Sequence, residues 1–461
     1  MNATEPSTHS PSGSTADGLG YYSPPSTSLK LQQVHYIVRH GERTPVRTRQ
    51  IKGIPNRWNF CKSGRQFSAA VLDVTGQGIP SQGRMNVERR VEGSDHNDQV
   101  VKGQDGECLL GELTDVGRAS TLRIGKELRS LYIDQLGLLP QKLLPSDENK
   151  VYFRSTNMSR TVESLQQIVR GLLPQTQIDG DQFVPKILIR NGTNENLLPN
   201  TFGCARLRNL DRAFADFAAK IHNPSLEPLD SKLAPICGGA VPRVDGHPRL
   251  NGILDTVKAA SAHGIKVDPV FTEPQIAETL EKAVCAEWFS GYQAEDPEKR
   301  LEFRRLAMGR LLEDLNTRMT TKARFEETDP LRLAVYSAHD TSLAGLLSTL
   351  DCFDNRWPSF TASVGIELWK DTRPEAQPSI LDKFGYMLGI SSAETPHYVR
   401  MRYGDKTLRL PACSKPGRHL EGNQEFCTLD AFREIVHGLR HPKGLNWEQQ
   451  CDVGRGEKSS K

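Results

Sequence analysis

The chain has no run of 18 consecutive apolar residues, so no segment of it reads as a membrane-spanning helix. It also lacks a marked excess of either charge: 59 Lys and Arg stand against 56 Asp and Glu, a formal net charge of +3. That balance gives no reason to expect a nucleic acid or an anionic membrane as partner. Its nine cysteines include no C-x-x-C pair, which excludes a zinc ribbon or a thioredoxin-like site. No G-x-G-x-x-G fingerprint opens a helix and no G-x-x-x-x-G-K-[ST] loop occurs, so dinucleotide and P-loop chemistry are unsupported. No cluster of Asp, Glu and His has metal-ligand spacing, and neither a metal nor a cofactor is expected.

The front end lacks targeting features. Residues 1–30 are rich in Ser, Thr, Pro and Gly, with Glu5, Asp17 and Lys30 the only charged side chains and no Arg before Arg39. Such a composition buries too little surface to fold, so residues 1–29 are expected to be a disordered tail. With no basic flank and no apolar run, they predict an intracellular, cytoplasmic location; secretion is the alternative if the start is misassigned. The N-x-[ST] triplet at Asn157 lies in a segment assigned below to the active site, where a glycan would obstruct. In a chain of 461 residues nine cysteines are not a disulfide scaffold, and their odd number leaves at least one unpaired. Cys413 and Cys427 bracket a polar loop and are spaced to pair in an oxidising compartment.

What remains is ordinary globular material, 37% apolar and 25% charged, long enough for one large domain or two. Short apolar strands alternate with periodic helices, the α/β pattern. Leu31–Arg39, Val151–Phe153, Lys186–Ile189 and Leu331–Val335 read as strands, with later strands at Ser363–Trp369 and Tyr398–Tyr403. Thr114 is placed to cap a helix, and Val162, Leu165, Ile168, Val169 and Leu172 mark another at helical spacing. From about Phe202 to Met319 only helices are evident. The reading is a core of residues 30–189 and 316–461 split by a mostly helical insertion at 190–315. Residues 46–113 are too long for a structureless loop and are expected to hold hairpins or a lid.

Three polar clusters each follow an apolar strand and precede a helix or turn. They are Arg39-His40-Gly41-Glu42-Arg43-Thr44-Pro45, Arg154-Ser155-Thr156-Asn157 and His339-Asp340-Thr341. In open α/β sheets ligands bind beyond the carboxyl ends of the strands, so parallel strands would bring the clusters to one crevice. Arg39, Arg43 and Arg154 are permanently charged forks suited to phosphate oxygens. His40 and His339 titrate near neutrality, and a histidine can be a nucleophile or a proton donor. Asp340 can act as general acid if its pKa is raised. Gly41, without a Cβ, lets backbone and substrate approach closely. Together these parts describe metal-free phosphoryl transfer through a phosphohistidine. Arg47, Arg49 and Lys52 either widen an anionic pocket or form a solvated face, the latter being the commoner case. His35 alternates within its strand and is expected to be packed or exposed.

RHGERTP (39–45), FRSTNMSRTVESL (153–165) and YSAHDTSLAGLL (336–347) resemble the histidine acid phosphatase family, branch 2 of the histidine phosphatase superfamily. The resemblance covers about residues 30–440. GELTDVGR (111–118) and NRWPSFTASVGIELW (355–369) look most like lysophosphatidic acid phosphatase relatives, and LRLPAC with its paired-Cys loop is similar to fungal acid phosphatases. The resemblance implies a three-layer αβα, phosphoglycerate-mutase-like core with a helical cap. It implies that His40 attacks phosphorus, that Arg39, Arg43, Arg154 and His339 bind the phosphoryl group, and that Asp340 protonates the leaving oxygen. Glu42 fills a position the family varies, where its charge would tune the pocket. The substrate would be a small phosphate monoester, including lysophosphatidic acid. The rivals are a phytase-like inositol phosphate phosphatase, for which the low net charge gives no support, and a silent phosphate-binding protein.

Overall fold

The computed structural model describes residues 22, 25, 28–74, 80–94, 100–103, 105–174, 183–326, 328–373 and 396–452. The expected tail at 1–29 lies almost entirely outside the described residues.

The central strand β1 (Leu29–Arg39) is buried at every residue but Lys30. It is therefore covered on both faces, and its polar members must be paired within the sheet. His35 is one of them: its ring nitrogens meet the Tyr336 hydroxyl at 3.0 Å and Gln33 Oε1 at 2.8 Å. Two hairpins follow, β2 (Gln66–Val74) with β3 (Pro80–Glu88) and β4 (Glu92–Ser94) with β5 (Val100–Lys102). The long polar stretch thus holds hairpins, as its length suggested. Helix α1 (Asp115–Leu128) begins where the sequence places its cap, with Thr114 Oγ1 accepting from the Gly117 N–H. Then come β6 (Val151–Ser155), α2 (Ser159–Leu172) and β7 (Ile187–Ile189). The helical stretch contains α3 (Ala205–Leu226), the short α4 (Asp230–Leu233), α5 (Leu250–Ala262), α6 (Pro274–Phe289), α7 (Pro297–Arg304) and α8 (Arg310–Arg324). The chain returns to the sheet as β8 (Leu333–Ala338), α9 (Asp340–Thr349), β9 (Ser363–Asp371) and β10 (His397–Tyr403). After β11 (Lys406–Leu408), β12 (His419–Leu420) and β13 (Asn423–Thr428), helices Leu429–Gly438 and Trp447–Cys451 close the described chain.

The main sheet has the order β12-β13-β10-β9-β1-β8-β6-β7, with β11 beside β10. β1, β8, β6 and β7 are mutually parallel, whereas β9 runs antiparallel to β1. Side chains alternate along each strand, so the sheet feeds two cores. Ile37, Tyr336 and Ile366 pack with Leu312 and Met319 of α8 and Leu346 of α9. Val34, Tyr36 and Val335 pack on the other face with Ile124 of α1 and Leu165 and Ile168 of α2. This is the expected three-layer α/β arrangement. A third core joins Ile51, Ile54 and Trp58 to α5 and α6 through Leu250, Ile253 and Leu280. The segment after the first motif is therefore packed into the helical layer. Among the described residues no helix is long and apolar enough to cross a membrane.

Three disulfides are present: Cys61–Cys108, Cys204–Cys451 and Cys413–Cys427. The last is the pair that the loop spacing marked. The other two bridge 47 and 247 residues, distances over which the sequence carries no local signal. Cys237, Cys285 and Cys352 are free.

Candidate active site

The parallel register sets the site. Arg39 pairs with Ala338 and Ser155 with Ser337, so β1, β8 and β6 end at one level. Immediately beyond that edge, the His40 N–H bonds to the Ala338 carbonyl at 3.1 Å, and the Thr156 N–H to that of Ser337 at 3.3 Å. A cavity of about 720 Å³ opens there between the sheet edge and the helical layer. Arg39, His40, Arg43, His339 and Asp340 all line it, so the first and third clusters meet as their strand-end placement predicted.

His40 is 2% exposed. Its Nδ1 lies 2.9 Å from the Gly41 carbonyl, which can only accept, so Nδ1 carries the proton and Nε2 keeps its lone pair. Burial, followed by Arg39, Arg43, Arg160 and His339, holds its pKa well below the ordinary histidine value. The ring stands edge-on to His339, with centroids 5.7 Å apart. His339 Nε2 is bound to Thr156 Oγ1 at 2.9 Å, and burial with the neighbouring Arg160 lowers its pKa to about 3.

Asp340 departs from expectation. Burial does push its carboxyl up, but Arg39, Arg43 and His339 outweigh burial and bring it below the ordinary aspartate value. Arg39 reaches Oδ2 at 2.8 Å, the Trp357 indole N–H donates to the same oxygen at 3.2 Å, and the Thr341 N–H donates to Oδ1 at 2.8 Å. In the free site Asp340 is an anion, and the raised pKa that the sequence reading required is not present. A bound phosphoryl dianion would reverse this balance, because it competes for Arg39 and Arg43 and adds negative charge beside the carboxyl.

The arginines divide unexpectedly. Arg39 donates to the Pro358 carbonyl at 2.5 Å and lies over the Phe360 ring at 4.2 Å. Arg43 forks onto Asp255 of α5 at 2.8 and 3.3 Å, tying the first motif to the helical layer. Arg154 does not line the cavity. It is 1% exposed and bound to Glu195 and Asn196 at 2.5 and 2.7 Å, with Asp314 at 3.8 Å. Arg160, six residues on and at the start of α2, lines the cavity instead. Its charge acts on both His40 and His339, and burial with repulsion from Arg43 lowers its own pKa to about 10. Arg39, Arg43, Arg49 and Arg160, all on the cavity, each keep a buried Nε–H without a partner among the described residues. Arg154 Nε is likewise unpartnered, but outside the cavity. Arg39, Arg43 and Arg160 thus bring three guanidinium groups to one cavity, an arrangement suited to an anion. The sequence signal for Arg160 was available: it lies on the first turn of the helix that follows the strand.

Two smaller expectations change. A Cβ on Gly41 would lie 2.4 Å from the Gly117 carbonyl, so this glycine serves the close approach of α1 rather than of substrate. Glu42 accepts from Ser120 of α1 and does not line the cavity. Arg47 and Arg49 do line it, whereas Lys52 does not.

Comparison with known proteins agrees with this geometry. The profile of the histidine phosphatase superfamily (branch 2) matches residues 30–404. A probable acid phosphatase of Schizosaccharomyces pombe is 35% identical over 442 residues, covering 89% of this chain and 92% of that protein. Human lysophosphatidic acid phosphatase type 6 is 27% identical over 351 residues, 74% of each chain. Among solved structures, Hafnia alvei phytase in its apo form superposes with a TM-score of 0.55 at 14% identity, covering 93% of this chain and 100% of that one. At that identity the likeness shows the fold alone. The chain therefore belongs to branch 2 of the histidine phosphatase superfamily and is, with its acid phosphatase relatives, a phosphoric monoester hydrolase.

Proposed function

We propose that the cavity carries out two successive displacements at phosphorus. His40 Nε2 forms a bond to phosphorus as the ester P–O bond breaks, and the departing oxygen takes a proton from Asp340. Water then forms a P–O bond as the N–P bond breaks, and Asp340 receives the water proton. Arg39, Arg43, Arg160 and His339 hold the phosphoryl oxygens. Arg160 takes the role expected of Arg154, which we assign to holding Glu195 and the start of the helical layer. The observation that carries the reading is the convergence of the Arg39, Arg43 and Arg160 guanidinium groups on the cavity that holds a neutral His40.

The same electrostatics support acid operation. The nucleophile stays unprotonated well below pH 6.5, while Asp340 must hold a proton when the ester arrives. We also propose that the helical stretch expected at 190–315 acts as the cap, since Asp255 of α5 grips Arg43. Three disulfides favour an oxidising compartment over the cytoplasm expected from the front end.

The substrate is a small organic phosphate monoester. Lysophosphatidic acid is a second reading, favoured by a neighbouring cavity of about 870 Å³ that includes Phe214 and Phe217 and shares Phe289 with the active-site cavity. Phosphate release from an aryl phosphate at pH 4 to 7 with excess EDTA tests the reading. Activity should persist in the wild type and vanish in His40→Ala. Equal activity in the two proteins, or none in a folded wild type, would refute it.

A further inference from the structure

The side of the cavity facing Asp340 has a composition that phosphate binding does not call for. If Asp340 protonates the departing oxygen, the alcohol must leave along this side. Trp357 is bonded to Asp340, and Trp288 stands edge-on to Trp357 with ring centroids 6.0 Å apart. Trp288 lines the cavity and is 41% exposed, unusual for the largest aromatic unless its face has something to meet.

Asp211 and Asn251 line the same cavity. The Asp211 carboxylate has no hydrogen-bonding or ion-pairing partner among the described residues, and burial raises its pKa to about 6. Asn251 is oriented from behind: its Nδ2 donates to Glu287 Oε1 at 3.0 Å, and Arg249 reaches the same oxygen at 3.3 Å. Glu287 is 6% exposed, and its Oε2 has no partner.

An apolar alcohol would leave the Asp211 carboxyl without a partner. Hydroxyl groups satisfy it in either protonation state, because a hydroxyl both donates and accepts, and they can also bond to the Asn251 amide. The C–H face of a polyol ring or chain suits the indole of Trp288. We propose that Asp211, Asn251 and Trp288 form a leaving-group subsite for a polyhydroxylated alcohol, making sugar or polyol phosphates the preferred substrates. This rests on the roles given above to His40 and Asp340. Glu287 acts as a positioning residue through Asn251 and Arg249.

The test compares kcat/KM for glucose 6-phosphate with that for n-hexyl phosphate in the wild type, Asp211→Ala, Trp288→Ala and the isosteric Asp211→Asn. The wild type should favour the sugar ester, and the ratio should fall about tenfold or more in both alanine variants and less in Asp211→Asn. The fall should appear chiefly in KM for the sugar ester. A wild type that favours n-hexyl phosphate, or a ratio unchanged in folded variants, overturns the proposal. Release of 4-nitrophenol from its phosphate by the wild type and not by His40→Ala separates the two levels. If that control fails, the underlying mechanism falls and the subsite falls with it; if it succeeds and the ratio stays flat, only the subsite is refuted.

Discussion

Arg154 and Arg160 lie six residues apart and receive opposite assignments. Arg154 is enclosed by Glu195, Asn196 and Asp314, so its removal strands a buried carboxylate. Arg154→Ala is expected to cost about 3–5 kcal/mol of stability, read as a lower thermal midpoint. Arg160→Ala removes a phosphate-facing donor and should cost about 10²–10³ in kcat/KM with little change in that midpoint. The opposite pattern would restore Arg154 to the site. Asp340 gives a second prediction at this scale. Asp340→Asn should slow hydrolysis of alkyl phosphates about 10²–10⁴-fold and of activated aryl phosphates much less, because only poor leaving groups need the proton. Equal losses on both would remove its role as acid.

At the scale of elements, the first motif is fixed by α1 as much as by the sheet. A Cβ at Gly117 would lie 2.2 Å from the Glu42 carbonyl, and one at Gly41 would strike the Gly117 backbone. Gly117→Ala should therefore displace the loop bearing His40, lowering stability by about 1–3 kcal/mol and activity with it. Denaturant unfolding alongside kinetics would show both losses; a stable, fully active variant would contradict the packing argument. Much of this was legible in the sequence. The strands ending at Arg39 and Ala338 announce themselves by apolar runs followed by reactive polar residues, and Thr114 caps the predicted helix. What escaped was long-range. Arg154 and Arg160 have the same local chemistry, and only Glu195 and Asp314, brought in from 41 and 160 residues away, decide which one is neutralised. Asp340 escaped for the same reason, since its ionisation depends on Arg39, 301 residues distant. The Cys204–Cys451 disulfide joins α3 to the end of the described chain and has no sequence signature.

The whole molecule titrates through its buried groups. His35 and His339 are lowered to about 3, and His40 well below 6.5, chiefly by burial. All three fold neutral, whereas the unfolded chain protonates each below about pH 6.5, so their contribution is lost as pH falls, at about 1.4 kcal/mol per pH unit for each histidine. Glu287 and Asp211, raised by burial to about 7 and 6, work the other way and gain stability as pH falls. His222 and His263 are also lowered by burial and Glu112 is also raised, so five losses against three gains predict a lower thermal midpoint at pH 5 than at pH 7, and a steeper fall in Glu287→Gln. A midpoint that rises towards pH 5 would contradict this balance. The central claim, that His40 carries the phosphoryl group, has its most direct test in the covalent intermediate. The protein is mixed with a ³²P-labelled alkyl phosphate, quenched in alkali after milliseconds, digested and mapped. The account predicts an alkali-stable, acid-labile label on the peptide containing His40, absent from His40→Ala; label on another residue, or turnover in His40→Ala, would contradict it.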